Sequence, residues 1–410
     1  MGYNGANNTG SETRLISIIE DLRTVFGKDV ELTIPTLNEK NLRRYLEEDE
    51  HLKIVPIPSI YFFALKKIVE KQDLVLLVEG SCYMDTWTSA LLWAFLWTTR
   101  CAYNQGIPCI AYAVDSGDLS KFNRFLVRRE ANKTDLIITR TTYAMERLIE
   151  IGVTAPIVST ADCAFSFETK LEAKHSLKKI WNSEQHGSNE GFVGMAVVDF
   201  HLWPVVIRPW GRKINLYKWP YYFSRSKSRV QSSKTLSKNW AREADRIVEL
   251  YSKNIILICM EELDEPLAIE IKNRMKHSEK AQIVSAGTYN ASQMTEVLRS
   301  LELLITSRYH AGVLSMKRSV PQIGVGHDQR LKGLYKDIEI EKELFIDYPK
   351  DNSNVERIWK TLSKKVDELM ENPQHVKELI GKCYQKQVEL SLNNKKYLKK
   401  FLFEHKDVMV

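Results

Sequence analysis

The chain has 410 residues, of which 44% are hydrophobic, and it carries a net charge of +7 at pH 7. This length suits two or three globular domains, and the moderate positive charge suits anionic small molecules or an anionic membrane surface rather than nucleic acid. The apolar run 91–97 is far too short to span a bilayer, and no apolar signal segment opens the chain. We therefore expect a cytoplasmic protein that is soluble or at most peripheral to a membrane.

In residues 1–170, short apolar and β-branched segments alternate with helical patterns, which predicts a parallel sheet with crossover helices. The predicted strands are 30–35, 52–57, 74–79, 109–114, 136–139 and 157–160. The predicted helices include 12–26, 87–104 and 143–151. Gly152 follows the last of these helices, and glycine is common just after a helix because it readily adopts the left-handed conformation.

Residues 171–190 are polar and charged and predict a linker, with its centre at 185–189. The strand and helix alternation then resumes over 191–352, and residues 353–410 are helical and charged. The predicted strands are 192–198, 255–260, 282–285, 301–306 and 322–325, and the predicted helices include 236–251 and 267–277. The fold class is α/β, with two Rossmann-like doubly wound domains in a GT-B-like arrangement and helical C-terminal segments. In such sheets ligands bind in the cleft at the carboxyl ends of the strands.

The six cysteines are widely spaced and include no Cys-x-x-Cys pair. Most of them lie in apolar runs, where free cysteines are common. We expect buried, reduced thiols and no structural zinc site.

A Gly- and Asn-rich turn precedes the first predicted helix. Its glycines allow a ligand to approach the backbone, and a helix N-terminus offers free N–H groups and positive potential. Asn4 and Asn8 are therefore candidate substrate-binding residues, although a tight turn with Ser11 as helix N-cap explains the same sequence equally well. Such a turn normally follows a first strand, which is either missing or lies upstream of Met1.

Polar residues follow strands of the first domain, where ligands meet a doubly wound sheet. Gly80 allows close approach after the strand 74–79, and Ser81 can donate to a ligand oxygen. Arg140 follows a later strand and can bind phosphate or carboxylate through its planar fork. Asp162 follows the next strand, so an ion pair between Arg140 and Asp162 is the alternative interpretation.

The strongest cluster of polar residues follows two apolar strands of the second domain. Because these strands are expected to be neighbours, their polar residues should share one rim. Two arginines and two histidines at one rim suit an anionic substrate that requires proton transfer. The cluster consists of Ser307, Arg308, His310, His327, Asp328 and Arg330.

These motifs resemble those of the polysaccharide pyruvyl transferase family. Arg308-Tyr309-His310-Ala311 is similar to the family's Arg-Leu-His-Ala signature, and 324–330 is similar to the segment after it. The residues from Arg140 to Asp162 are similar to its central Arg-containing segment, and the Gly-rich opening is similar to its first loop. The resemblance covers most of both domains.

The resemblance implies transfer of a pyruvyl unit from phosphoenolpyruvate to a saccharide or lipid-linked saccharide, which forms a pyruvate ketal. The enol carbon is protonated, one hydroxyl attacks C2, phosphate leaves, and a second hydroxyl closes the ketal. Arg140, Arg308 and Arg330 would bind the donor, with Arg308 and His310 catalytic and His310 the general acid/base. Because arginines can stabilise the developing charge, no metal or other cofactor is expected.

Two residues depart from the family pattern. Tyr309 stands where the family usually has Leu, and Arg330 stands where relatives often have Lys. Arginine and lysine are not interchangeable, because they differ in shape and in hydrogen-bonding geometry. A nucleotide-sugar-dependent glycosyltransferase of GT-B fold and a non-catalytic glycan-binding relative therefore stay open as alternatives. The oligomeric state also stays open, and a homo-oligomer is one option.

Residues 203–240 contain nine lysines or arginines, several aromatic residues and no acidic residue. A connection of this length usually indicates function or disorder. In one interpretation the aromatic residues stack on sugar rings and the cations bind lipid pyrophosphate or a membrane surface. The other interpretation is a mobile, solvated loop. Single-stranded nucleic acid could use the same residue types but is favoured less.

Overall fold

A computed structural model describes residues 1–181, 191–202, 205–349 and 354–405. The centre of the predicted linker (185–189) and Trp203 lie outside the described residues. The described chain contains two parallel sheets, a parallel strand pair and a small antiparallel sheet, with helices packed around them. The predicted α/β class is confirmed.

The first half of the chain forms a four-stranded parallel sheet in the order β3-β4-β5-β6 and a separate parallel pair, β1-β2. Its strands are β1 (Leu32–Thr36), β2 (Leu52–Pro56), β3 (Val75–Leu77), β4 (Cys109–Val114), β5 (Leu136–Thr139) and β6 (Ile157–Ser159). Its helices are α1 (Thr9–Phe26), α2 (Glu39–Leu42), α3 (Phe62–Val69), α4 (Ser89–Asn104), α5 (Lys121–Ala131), α6 (Thr142–Ile151) and α7 (Ser176–Ile180). Every residue of β4 is buried, because helices cover both faces of a parallel sheet. All six predicted strands are present.

The Gly-rich turn and the start of α1 lie against the first sheet. The N-cap of α1 is Asn8, whose side chain accepts from the backbone N–H of Ser11, so the prediction of Ser11 as the cap is wrong. An Asn carbonyl in this position satisfies a backbone donor that the helix leaves free. Val78 donates to the carbonyl of Met1 at 2.9 Å, which places Met1 beside β3.

The second half forms a six-stranded parallel sheet in the order β12-β11-β7-β13-β14-β15. Counted within this sheet, the order is 3-2-1-4-5-6, the Rossmann arrangement, and it reverses between β7 and β13. The strands are β7 (Phe192–Ala196), β11 (Asn254–Cys259), β12 (Ala281–Ser285), β13 (Leu303–Thr306), β14 (Gln322–Gly326) and β15 (Phe345–Asp347). The helices are α8 (Lys227–Tyr251), α9 (Glu265–Arg274), α10 (Ala291–Arg299), α11 (Tyr309–Ser315), α12 (Gln329–Asp337) and α13 (Glu341–Leu344). β15 was not predicted, because a strand of three residues is too short to show a clear alternation of apolar and polar side chains.

Between β7 and α8 the chain forms an antiparallel sheet in the order β8-β10-β9, with strands β8 (Val205–Ile207), β9 (Leu216–Lys218) and β10 (Tyr221–Phe223). We refer to residues 205–223 as the roof sheet. Helix α8 begins at Lys227, well before the predicted start at residue 236, because its first turns are polar and exposed and carry no apolar periodicity. Most of the basic segment is thus regular structure, which argues against a mobile loop.

Two helices follow the second sheet, α14 (Val355–Glu371) and α15 (Gln374–Glu404). In α14, Trp359 packs edge-on against Trp240 at 4.9 Å in the core of the second sheet. In α15, Val376 and Ile380 join the same core, and Leu398 and Phe401 join the core of the first sheet. The last helix therefore spans both sheets and fixes the cleft between them. None of the described helices is both long and apolar enough to cross a membrane.

The six cysteines are all buried. Cys109 begins β4, and Cys259 ends β11. Burial raises the pKa of Cys109 to about 12, so this thiol stays protonated and unreactive near neutral pH. This confirms the prediction of buried thiols.

Candidate active site

A cavity of about 660 Å³ opens where the order of the second sheet reverses, facing the Gly-rich turn and the start of α1. Residues that follow strands of both sheets line it, together with residues of α1 and of the roof sheet. Nine of the sequence-predicted site residues lie in this lining: Asn4, Asn8, Ser81, Ser307, Arg308, His310, His327, Asp328 and Arg330. Gly80, Arg140 and Asp162 do not line the cavity and lie behind its wall.

A cluster of buried ions forms what we call the rear wall: Arg14, Asp115, Arg140 and Asp162. Arg140 donates from Nε to Asp115 at 2.9 Å and from Nη1 to Asp162 at 2.7 Å, and Arg14 lies 2.8 Å from the same Asp162 oxygen. Their side chains are at most 1% exposed. The Arg140–Asp162 ion pair proposed as the alternative is therefore present, and Arg140 faces protein rather than the cavity.

Asp162 stays ionised in spite of its burial. Burial alone would raise the pKa of its carboxyl, but Arg14 and Arg140 outweigh burial and hold the pKa well below its usual range. A permanent negative charge therefore lies directly behind the site.

His310 lies between the rear wall and the cavity. Its Nε2 is 3.4 Å from Oδ2 of Asp162, and its Nδ1 lies on the side of Gly10, which also lines the cavity. A Cβ on Gly10 would come within 2.0 Å of Nδ1, so this approach of α1 to the imidazole requires glycine. Burial lowers the pKa of His310, and the contact with Asp162 opposes this only in part. The ring is therefore neutral near pH 7.

Two further contacts hold the rear wall. The ring of Tyr309 stacks on the Arg140 guanidinium, with Cζ 3.9 Å from the ring centroid. A Cβ on Gly80 would come within 2.5 Å of Nη1 of Arg140, so Gly80 makes room for this arginine. Tyr309, a departure from the family pattern, thus covers a buried cation.

Arg308 lies on the cavity wall at the end of β13. Its Nε donates to Asp264 at 2.9 Å, and its Nη1 lies 3.3 Å from Glu261. Its backbone N–H donates to the hydroxyl of Thr306, and 12% of the side chain stays exposed. Two carboxylates therefore fix the guanidinium while part of it faces the cavity.

Arg330 occupies the other side of this rim. Asp328 caps α12 by accepting from the backbone N–H of Arg330, and it also accepts from Nη2 of Arg330 at 2.6 Å. Burial would raise the pKa of Asp328, but Arg330 lowers it to about 2. The Arg330 guanidinium lies 5.1 Å from the ring centroid of Trp87, and His327 packs edge-on against Phe200 at 5.3 Å. Within the described ranges, no group of three or more His, Cys, Asp or Glu side chains could hold a metal ion.

The sequence model of the polysaccharide pyruvyl transferase family matches residues 7–329, which is more than half of the chain. The chain belongs to this family. The matched range includes Arg308 and His310 and ends just before Arg330. Membership supports a role in pyruvyl transfer and confirms the family resemblance. A search of curated protein sequences finds no significant match.

Solved structures show the same fold at low identity. A UDP-GlcNAc 2-epimerase from Neisseria meningitidis bound to UDP-GlcNAc is 10% identical, with a TM-score of 0.57 and 98% of each chain covered. A second UDP-N-acetylglucosamine 2-epimerase is 11% identical, with a TM-score of 0.60 and coverage of 99% of this chain and 95% of the other. A glycosyltransferase from Rickettsia africae is 10% identical, with a TM-score of 0.55 and coverage of 98% and 95%. These likenesses confirm the predicted GT-B-like fold.

In this family member, sequence reasoning missed Tyr3, Glu79 and Glu261, which line the cavity at the end beside the roof sheet. Tyr3 and Tyr217 share a hydrogen bond of 2.5 Å between their hydroxyls, and the Tyr3 hydroxyl donates to Glu261 at 3.3 Å. The carboxylate of Glu79 accepts from the backbone N–H of Tyr3 at 3.1 Å and from the Ser11 hydroxyl at 3.2 Å. Glu79 ends the predicted strand 74–79, which was an available signal. No local signal predicts that Tyr217 reaches Tyr3.

The roof sheet covers this end of the cavity. Although it follows β7 of the second half, it is held by the first half of the chain. Lys218 Nζ donates to the backbone carbonyl of Leu37 at 2.7 Å, and the Tyr221 hydroxyl donates to the backbone carbonyl of Ser59 at 2.7 Å. The aromatic residues predicted to contact a sugar therefore fall into two groups. Tyr217, Tyr221 and Phe223 line the cavity, whereas Trp210 and Trp219 are exposed on the surface.

Proposed function

We propose that this protein transfers a pyruvyl unit from phosphoenolpyruvate to two hydroxyls of a saccharide and forms a pyruvate ketal. One observation carries the proposal: Arg308 and His310 of the family signature face one cavity together with Arg330 and His327. In the same cavity, the carboxylates and hydroxyls around Tyr3 can bind a polyol, and Glu261 joins this part to Arg308. The cavity therefore offers a cationic donor end and an adjoining, hydroxyl-binding acceptor end.

Arg308 and Arg330 are the proposed donor-binding residues. Phosphoenolpyruvate carries a phosphate and a carboxylate, and guanidinium groups bind both through paired hydrogen bonds. The carboxylates of Asp264 and Asp328 orient these arginines, and 12% and 14% of the two arginine side chains stay exposed. Arg140 would act indirectly, by holding Tyr309 and Asp162 in place.

His310 is the proposed proton-transfer residue. With the Nε2 proton directed at Asp162, Nδ1 keeps a lone pair beside Gly10, a residue of the cavity lining, and would accept a proton from an acceptor hydroxyl there. Asp162 then stabilises the imidazolium that forms. Because His310 is neutral at rest, it is ready to act first as a base and then as an acid.

The reaction balances without an oxidant or a reductant. A proton is added to the methylene carbon of phosphoenolpyruvate, which becomes a methyl group, and one acceptor oxygen bonds to C2. The bond between C2 and the phosphate oxygen breaks, phosphate leaves, and the second acceptor oxygen bonds to C2. Of the two hydroxyl protons lost, one offsets the proton on the methyl group and the other leaves with phosphate.

The acceptor end suits a sugar. Glu79 and Glu261 offer carboxylate acceptors to sugar hydroxyls, and Asn4 offers an amide. The Asn8 amide instead caps α1 and donates to Glu261. Tyr217 adds aromatic surface. Small-molecule sites commonly combine apolar walls with a few placed polar groups in this way.

The test measures thermal stabilisation and turnover in parallel. Phosphoenolpyruvate should raise the melting temperature of wild-type protein with increasing concentration, because it binds only the folded state. Arg308→Ala should abolish that shift and lower kcat/KM about 100-fold or more, as expected for loss of a charge-stabilising group. Arg308→Lys keeps the positive charge but loses the paired guanidinium N–H donors, so it should recover only part of the activity.

Arg246→Ala is the matched control, since Arg246 pairs with Glu243 and Asp367 outside the cavity lining. Its response to phosphoenolpyruvate should match wild type. Phosphate release and an acceptor mass gain that corresponds to a ketal would identify the product. Stabilisation by UDP-GlcNAc but not by phosphoenolpyruvate would overturn the proposal in favour of a nucleotide-sugar glycosyltransferase.

A further inference from the structure

The outer side of the roof sheet exposes an unusual group of apolar side chains. Trp210 is 76% exposed, Ile214 is 88% exposed and Trp219 is 54% exposed, and Ile207 and Leu216 are also exposed. The indole N–H of Trp219 donates to the carbonyl of Pro209, next to Trp210. Exposed apolar side chains grouped in one short segment indicate a surface that contacts something other than water.

The same surface is basic. Arg212, Lys213 and Lys218 are exposed, and the sequence has no Asp or Glu from residue 200 to residue 242. Within the described ranges, neither Arg212 nor Lys213 forms an ion pair with a carboxylate. Trp and Ile side chains among unpaired cations are typical of a surface that inserts into the headgroup region of an anionic bilayer.

We propose that the outer side of the roof sheet docks on an anionic lipid bilayer. The charge distribution favours a bilayer over a second copy of the chain. In a two-fold dimer each basic patch would face its own copy, and like charges would repel. A bilayer that contains anionic lipid instead supplies opposite charge for the cations and an apolar layer for Trp210 and Ile214.

A second exposed apolar group adjoins the roof sheet. Because Tyr221 donates to the carbonyl of Ser59, the roof sheet adjoins the start of α3, where Ile60 is 54% exposed and Phe63 is 81% exposed. Leu216 and Lys218 are exposed and also line the cavity. The docking surface therefore borders the cavity, so if the proposed function holds, a lipid-carried saccharide could reach the acceptor end from the membrane.

The test is flotation with vesicles, without any substrate, so it is independent of the proposed activity. Wild-type protein should float with vesicles of phosphatidylcholine and phosphatidylglycerol, and much less with phosphatidylcholine alone. Arg212→Gln/Lys213→Gln should weaken partitioning on the order of 10-fold or more, because each cation near an anionic surface contributes about 1 kcal/mol. Trp210→Ser/Ile214→Ser leaves the charge of the protein unchanged and should still weaken its partitioning onto the vesicles.

The matched control is Lys170→Gln/Leu171→Ser/Lys174→Gln, which removes an equally exposed apolar side chain and two exposed cations from another segment. This control should float like wild type. All variants should keep the wild-type melting temperature, since none of the changed side chains is buried. Equal flotation of wild type and both roof variants would overturn the docking proposal. So would light scattering that shows a wild-type dimer and a monomeric Trp210→Ser/Ile214→Ser variant.

Discussion

The rear wall lies behind the cavity and the roof sheet covers it, and their charges are arranged in opposite ways. In the rear wall, Arg14 and Arg140 are fully buried and each pairs with a buried carboxylate. In the roof sheet, Arg212 and Lys213 are exposed in a region without acidic residues. A buried charge that loses its partner is costly, whereas an exposed charge is stabilised by water. The rear wall therefore fixes the position of His310, and the roof sheet keeps its charges available for a partner.

The largest predicted effect comes from removing the charge shared by the rear wall. Asp162→Asn leaves Arg14 without its ion pair and Arg140 with only Asp115, and breaking a buried pair costs about 3–5 kcal/mol. We expect a melting temperature several degrees lower and loss of activity. Because the pKa of Asp162 is well below its usual range, this stabilisation is present near neutral pH and is lost as the pH falls below about 4.

Asp367→Asn is the control, because Asp367 pairs with Arg246 and stays 39% exposed. Its cost should be about 1 kcal/mol or less, as is usual for exposed pairs. Thermal unfolding followed by circular dichroism from pH 3 to pH 8 measures both variants. If both variants melt alike at pH 7, the rear wall is not the stabilising cluster described above.

The second prediction concerns the space around Arg140. Gly80→Ala places a Cβ within 2.5 Å of a guanidinium that Asp115, Asp162 and Tyr309 hold on its other sides. Overpacking of this kind costs about 1–3 kcal/mol, so we expect a lower melting temperature and lower activity. Gly333→Ala is the control, because its new Cβ meets nothing closer than 3.6 Å. Equal melting temperatures of the two variants would contradict a tightly packed rear wall.

Most strands of the two parallel sheets follow from the sequence, because apolar segments of the right length alternate regularly, whereas β15 and the roof sheet do not follow. The placement of Arg308 and His310 beside the cavity also follows, since both come directly after a buried strand. The role of Arg140 does not follow. An arginine at the end of a strand has the same local sequence pattern whether it binds a ligand or a buried aspartate. The contact with Asp115, which shows that Arg140 binds protein, appears only in the folded chain. The contact of Tyr217 with Tyr3 joins residues 214 positions apart and depends on the folding of the roof sheet.

The third prediction concerns the protonation of His310. Burial lowers its pKa below the usual value of about 6.5 although Asp162 lies at 3.4 Å. The imidazole should therefore be neutral at pH 7 and become charged only as the pH falls below 6.5. An NMR titration of the histidine ring signals measures this, with the His310 signal assigned by its absence in His310→Asn. A midpoint above 6.5 would mean that Asp162 outweighs burial and that the resting imidazole acts as an acid.

The smallest predicted effect lies at the roof sheet. Tyr217→Phe removes the hydroxyl that bonds Tyr3, and a single hydrogen bond contributes about 0.5–1.5 kcal/mol. If this pair orders the acceptor end, KM for the saccharide should rise several-fold, while KM for phosphoenolpyruvate and the melting temperature stay near wild type. Tyr103→Phe, at an exposed position remote from the cavity lining, controls for loss of a tyrosine hydroxyl. An equal rise of both KM values would instead show that the roof sheet supports the whole cavity and not the acceptor end alone.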